Sequence, residues 1–137
     1  MLERFGVSME EELLERFDRL CNARGYDSRS EAIRDLVRRE IVTEEWSDGE
    51  SEVMGTITVV YDHHAQGLAH VLTDFQHHYF RSIVCSTHVH IDEDNCLEAI
   101  IVRGPGREVR RIAEQIHSAK GVKHGQLACS TTGRTVG

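Results

Sequence analysis

The 137-residue sequence predicts an α+β chain in two parts, a short strand-helix-helix segment and then a β-α-β-β-α-β sheet domain. Three observations carry that reading. Residues 4–9 alternate polar and apolar side chains; two S-x-x-E boxes follow, each opening an apolar stripe of helical period. After an acidic break near residue 47, strand and helix patterns alternate to the end of the chain.

Phe5, Val7 and Met9 fall on one face of residues 4–9, with Arg4, Gly6 and Ser8 on the other, which is the pattern of a half-buried strand. Ser8 and Glu11 form the first capping box. The helix it opens carries Leu13, Leu14, Phe17, Leu20 and Cys21 on one face and stops at Gly25. The second box, Ser28-Arg29-Ser30-Glu31, opens a helix with Ile33, Leu36, Val37 and Ile41 on one face. A lone six-residue strand has nothing to pair with in this segment, and about 45 residues is close to the lower limit for a self-sufficient core. Pairing with the same strand of a second chain solves both problems, giving an intertwined two-fold dimer whose two-stranded ribbon fits a DNA major groove.

Residues 1–46 form this first domain, 47–52 an acidic linker, 53–130 the second domain and 131–137 a flexible tail. In the second domain, strands are predicted over 53–61, 82–91, 96–103 and 122–129, with helices over 65–79 and 107–119. Gly104-Pro105-Gly106 makes a strand-to-helix turn. That order is the ferredoxin-like sheet.

No run of 18 apolar residues is present, so the chain has no membrane partner by this measure. Glu3 and Arg4 stand where a secretory signal would need its basic start and apolar core, which places the protein in the cytoplasm with reduced thiols. The cysteines at 21, 85, 96 and 129 form no C-x-x-C pair, arguing against a zinc ribbon or a thioredoxin-like site. A net charge of -7 counts against general nucleic-acid affinity, and residues 1–46 alone hold 8 Arg against 12 Asp or Glu. DNA binding therefore needs a local face. Arg4 and Ser8 supply one on the ribbon, an Arg being able to hold guanine bidentately, and Arg29 with the exposed amides of the second helix suits a phosphate. Gly6 between them has no side chain to read a base, so the operator sequence stays open.

The richest chemistry lies between His77 and Cys96. His88 and His90 are two apart on a predicted strand and share a face, Asp92 to Asn95 is a turn, and Cys96 opens the returning strand beside them. Two imidazoles and a thiolate read as a transition-metal site, with His77 or His78 available as a fourth ligand. Three imidazoles and one thiolate suit tetrahedral Zn or square-planar Ni or Cu. Glu98 shares the Cys96 face and, with Tyr61, is expected to orient the ligands through hydrogen bonds. Cys85, an odd number of residues from both His88 and His90, is expected on the opposite face and in the core. His63 and His64 are a further pair able to bind metal weakly.

Gly25-Tyr26 followed by Arg29-Ser30-Glu31-Ala32-Ile33-Arg34-Asp35 resembles one branch of the ribbon-helix-helix DNA-binding fold. Joined to His88-Val89-His90 and Cys96, it makes nearly the whole chain similar to the nickel-responsive transcriptional regulator (NikR) family. The resemblance implies an ACT-like second domain that assembles two ribbon dimers into a homotetramer. It also implies a repressor that binds double-stranded operator DNA of nickel-uptake genes when Ni(II) is bound. The ligands it implies are His88, His90 and Cys96 from one subunit and His77 from its neighbour, and it alone selects nickel. It further implies that Glu31 and Asp35, one helical turn apart, hold a second cation.

Three other functions compete. A His2Cys zinc site with an open position would serve a hydrolase, but H-E-x-x-H and H-x-E with P-C-x-x-C are both absent, so the chain is not read as an enzyme. A ribbon-helix-helix antitoxin would not need six alternating elements. A metal storage or delivery protein would leave the N-terminal ribbon without a purpose.

Overall fold

A computed structural model describes all of residues 1–137. The chain divides into two compact units, Met1–Glu40 and Ile41–Gly137. No helix is long and apolar enough to cross a membrane.

In the first unit, residues 1–10 form no helix or strand within the single chain, where the sequence predicts a strand over 4–9. A strand needs a ladder, and no other strand of this unit offers one. Phe5, Val7 and Met9 are 77%, 60% and 38% exposed, so the apolar face that the alternation marks stands open. Helix α1 (Glu11–Ala23) starts from Glu10 as its N-cap, with no side-chain cap hydrogen bond, so the first expected capping box does not form. The second does. The Ser28 hydroxyl accepts from the Glu31 backbone N–H at 3.2 Å at the start of α2 (Arg29–Asp48). Asp18 on α1 accepts a bidentate pair from Arg29, 2.9 Å in each arm, clamping the two helices at this end.

Helix α2 runs through the unit boundary to Asp48, which shortens the linker expected over 47–52 to three residues before the first strand. The second unit continues as β1 (Glu52–Asp62), α3 (Leu68–His78), β2 (Ile83–His90), β3 (Asn95–Pro105), α4 (Gly106–His117) and β4 (Val122–Ser130). This is the predicted β-α-β-β-α-β order, and all four strands join one antiparallel sheet in the order β2-β3-β1-β4. After β4, residues 131–137 form no element, yet Arg134 reaches Glu52 at 3.5 Å and the Thr135 hydroxyl hydrogen-bonds Glu45.

Alternation decides which side of the sheet is covered. Val53, Ile57, Val59 and Tyr61 of β1 and Cys96, Ile100 and Val102 of β3 are buried, and they share one cluster with Leu68 and Leu72 of α3 and Val109, Ile112 and Ile116 of α4. On α4 the buried positions recur at the i, i+3, i+4 and i+7 spacing of one helical face. Trp46, at the end of α2, closes the core at the far edge. It is 4% exposed, its indole donates to the Ser130 carbonyl at 2.8 Å, and the Arg110 guanidinium lies 5.1 Å from its ring centre.

Cys85 is exposed rather than in the core. Its pairing with Ile101 runs in unbroken register to His88 opposite Glu98, so Cys85 does lie on the face opposite the histidines, but α3 and α4 pack on the histidine side, and β2 is an edge strand with no neighbour on its outer side.

Candidate metal centre

The functional cluster grows from the same alternation that builds the core. In β3, Cys96, Glu98, Ile100 and Val102 all point to the helix-covered face, so the apolar row ends in a thiol and a carboxylate. Pairing then fixes their neighbours. His90 of β2 lies opposite Cys96, His88 opposite Glu98, and Tyr61 of β1 opposite Cys96 from the other side. Directly opposed residues of antiparallel strands share a face, so these five side chains meet at one end of the sheet.

The turn between β2 and β3 is held by its own polar groups. The Asp92 carboxylate accepts the backbone N–H groups of Asp94 and Asn95 at 2.8 Å each, and these bonds with the Asn95 amide hold it below the usual carboxylate range. With that turn locked, the Cys96 sulfur lies 3.5 Å from the His90 Nδ1. The His88 and His90 rings are 4.8 Å apart between centres.

A third imidazole joins them from the His63-His64 pair, which the sequence marks only as a weak metal binder apart from the hairpin set. His63, one residue past β1, places its Nδ1 3.5 Å from the same sulfur, and its ring centre is 5.5 Å from that of His90. Its backbone N–H donates to the Asp94 carbonyl at 2.6 Å, which ties the loop after β1 to the β2-β3 turn. His63, His90 and Cys96 present ligand atoms all within 4.8 Å of one another. His63 sits in the turn just past β1, where the period of two no longer applies, so the signal in the sequence is the His63-His64 pair itself rather than strand parity.

His88 stands next to this trio. The Tyr61 hydroxyl lies 3.1 Å from its Nδ1, leaving Nε2 as its free ring nitrogen. Tyr61 is buried, and burial, with the nearby Glu98 carboxylate and Cys96, pushes its pKa up to about 12. It stays a neutral hydroxyl at any physiological pH. Glu98 is only 7% exposed and accepts from the Gln76 side-chain amide at 2.8 Å. Gln76 is therefore a second residue that sequence reasoning missed. It precedes His77 in the last turn of α3, where His77 is exposed on the surface and does not join its own subunit's cluster. The Tyr79 hydroxyl donates to Gln115 of α4 at 2.6 Å, anchoring the same helix end from the other side.

The donor set fits a transition metal. A buried thiol among imidazoles is a soft site, and the Glu98 carboxylate beside it is already hydrogen-bonded to Gln76.

In the first unit, Arg4 and Ser8 are exposed and lie outside any element. The Arg29 side chain is 58% exposed while paired with Asp18. Asp35 accepts the Tyr26 hydroxyl at 2.7 Å and Arg38 at 3.4 Å, and these partners, Tyr26 first, hold its carboxyl below the usual range. Glu31 stands one turn before it on α2, with an exposed side chain.

Residues 54–130 match the family model described as the NikR C-terminal nickel-binding domain, and residues 3–44 match that of the ribbon-helix-helix proteins of the CopG family. A relative from Nitratidesulfovibrio vulgaris (strain Miyazaki F) is 52% identical over 131 residues, covering 96% of this chain and 94% of that protein. One from Pyrococcus furiosus is 52% identical over 133 residues, covering 97% and 96%. Both carry the name "Putative nickel-responsive regulator". Among solved structures, an uncharacterized protein from Thermotoga maritima superimposes with a TM-score of 0.52 at 9% identity, covering 58% of this chain and 98% of that one, a likeness of fold alone.

Proposed function

The chain belongs to the NikR family of nickel-responsive regulators, and on that premise we propose that it represses operator-bearing genes when Ni(II) is held by His88, His90 and Cys96 of one subunit and the partner's His77. It is a ribbon-helix-helix DNA-binding regulator with a nickel-binding domain, in a family of regulators rather than enzymes, and its cofactor is Ni(II). The observation that carries the proposed ligand set is the cross-strand row in which His90 faces Cys96 and His88 faces Glu98 at the open end of the sheet. When bound, Ni(II) supplies a cation that joins donor atoms of two subunits.

The chain's own residues do the rest. Tyr61 occupies Nδ1 of His88 and so leaves Nε2 as the nitrogen that would hold the metal. Glu98 holds Gln76, and through it the last turn of α3, so that a ligand bound at His77 is felt at the sheet. His77 is exposed where a neighbouring subunit can use it. A ligand set divided between subunits makes metal occupancy favour one assembly, a dimer of dimers, whose paired N-terminal strands present Arg4 and Ser8 to base edges and Arg29 to phosphate. Arg29 would exchange Asp18 for the phosphate. Glu31 and Asp35 are proposed as the pair that holds a second cation. Nickel-uptake genes are the natural targets, because a repressor that senses nickel closes the loop on its own signal.

Fluorescence anisotropy of DNA from upstream of a nickel-transport gene, at one fixed salt concentration, tests this with nickel-free and nickel-loaded protein. Tight binding with nickel alone is expected, and it is lost in Cys96→Ala. Operator affinity in nickel that is unchanged by Cys96→Ala would overturn the reading.

A further inference from the structure

We infer that Asp18 is a built-in competitor of the DNA backbone: it occupies Arg29 in the DNA-free chain and must give way before that guanidinium can take a phosphate, so it holds the protein's DNA affinity down. The inference rests on the proposed contact between Arg29 and phosphate, and adds the residue that opposes it.

The geometry is that of the contact to be displaced. Arg29 Nε and Nη2 donate to Asp18 Oδ1 and Oδ2, 2.9 Å in each arm, a pair of forks meeting face to face. A phosphodiester presents two non-bridging oxygens, and a guanidinium takes carboxylate and phosphate through the same two parallel bonds. Those bonds hold the Asp18 carboxyl below the usual carboxylate range, so it is charged at any physiological pH. Arg29 is also the first residue of α2, where the positive end of the helix favours either anion. The two side chains are 58% and 41% exposed, so an incoming phosphate can reach the pair.

Exposure sets the size of the effect. Water and salt screen an exposed ion pair, so this one is weak enough to open, and whatever it is worth is subtracted from each phosphate contact that Arg29 makes. Phosphate contacts carry no sequence information, so operator DNA and any other duplex lose affinity by the same factor. The ratio between them stays as the base-reading side chains set it, while occupancy of DNA that offers phosphates alone drops. The acidic balance of residues 1–46, 8 Arg against 12 Asp or Glu, acts in the same direction at longer range. Asp18 differs from a general acidic charge in acting through Arg29, so its effect must vanish when that side chain is removed.

Full-length, nickel-loaded Asp18→Asn, Arg29→Ala and the double variant test this by fluorescence anisotropy at one fixed salt concentration. The probes are DNA from upstream of a nickel-transport gene and a scrambled duplex of equal length. Asp18→Asn should tighten both complexes by roughly 1.5- to fivefold for each Arg29 engaged, the range that exposed ion pairs contribute. In the Arg29→Ala background the same substitution should gain clearly less, since only its general charge is left to act. Asp18→Ala, which favours helix α1, is the second variant should Asn disturb the fold, and a melting curve checks each protein. Affinity that is unchanged or lowered by Asp18→Asn and Asp18→Ala would overturn the inference, as would equal gains with and without Arg29. An Arg29→Ala protein that binds both duplexes as tightly as the wild type overturns instead the phosphate contact on which the inference rests.

Discussion

The Gln76 amide donates a 2.8 Å hydrogen bond to the Glu98 carboxylate, joining the last turn of α3 to the middle of β3 beside the metal ligands. Glu98 is nearly buried, so this bond has little competition from water. Gln76→Ala leaves a buried carboxylate without its donor, and a loss of about 1–3 kcal/mol in urea unfolding is expected. Nickel-dependent operator binding should weaken with it, because the turn bearing His77 is released. A variant with wild-type stability and wild-type nickel response would show that the link transmits nothing.

Tyr61→Phe keeps the buried ring and deletes only the hydroxyl beside His88 Nδ1. Nickel affinity should fall by roughly 10–100-fold, the usual effect of losing a group that orients a histidine ligand. Competition against a chelator of known affinity measures it. Because the Tyr61 pKa of about 12 keeps the hydroxyl protonated throughout, the loss should be the same at pH 7 and pH 9.

His117, at the end of α4, predicts a pH dependence of stability outside the metal centre. Burial depresses its pKa below 6.5, with His124 adding to the shift and the Gln126 backbone opposing it, and its Nε2 is buried without a partner. A depressed value means that the unfolded chain takes up its proton first. The His117 contribution is therefore complete above pH 6.5 and is lost as pH falls toward the folded value. Replacing His117 with Gln should flatten the fall in melting temperature below pH 6.5, and parallel curves for the two proteins would refute the assignment. Gly125→Ala should destabilise at every pH, since a Cβ there would run into the His117 ring.

Trp46→Ala removes a ring that is 4% exposed, together with its hydrogen bond to Ser130 and its contact with Arg110. A loss of about 3–5 kcal/mol is expected from the cavity. Trp46→Phe should cost less, and chemical denaturation of the two variants separates packing from the hydrogen bond.

The second domain's element order was legible because its signals are local. Alternation in β1 and β3 and the four-residue spacing of α4 mark the buried faces without reference to anything distant. The pairing of His90 with Cys96 follows from the same counting across a short turn. Counting gave the face of Cys85 but not its exposure, which depends on which side of the sheet the helices cover, and it stopped at the end of β1, short of His63 in the turn just past the strand. The N-terminal capping box also failed, since α1 starts after Glu10 and leaves the Ser8 hydroxyl outside its first turn.

By itself, then, the sequence determined two domains, their apolar faces and a histidine-cysteine hairpin, all properties of residues within a few positions of one another. Only the tertiary structure decided that His63 joins the thiol, that Glu98 is buried against Gln76 and that Tyr61 reaches His88. Those contacts join residues 22 to 33 positions apart, and they depend on which strands pair and in which register. Register is set by the packing of the whole sheet against α3 and α4, a cooperative choice that no single stretch of the chain encodes.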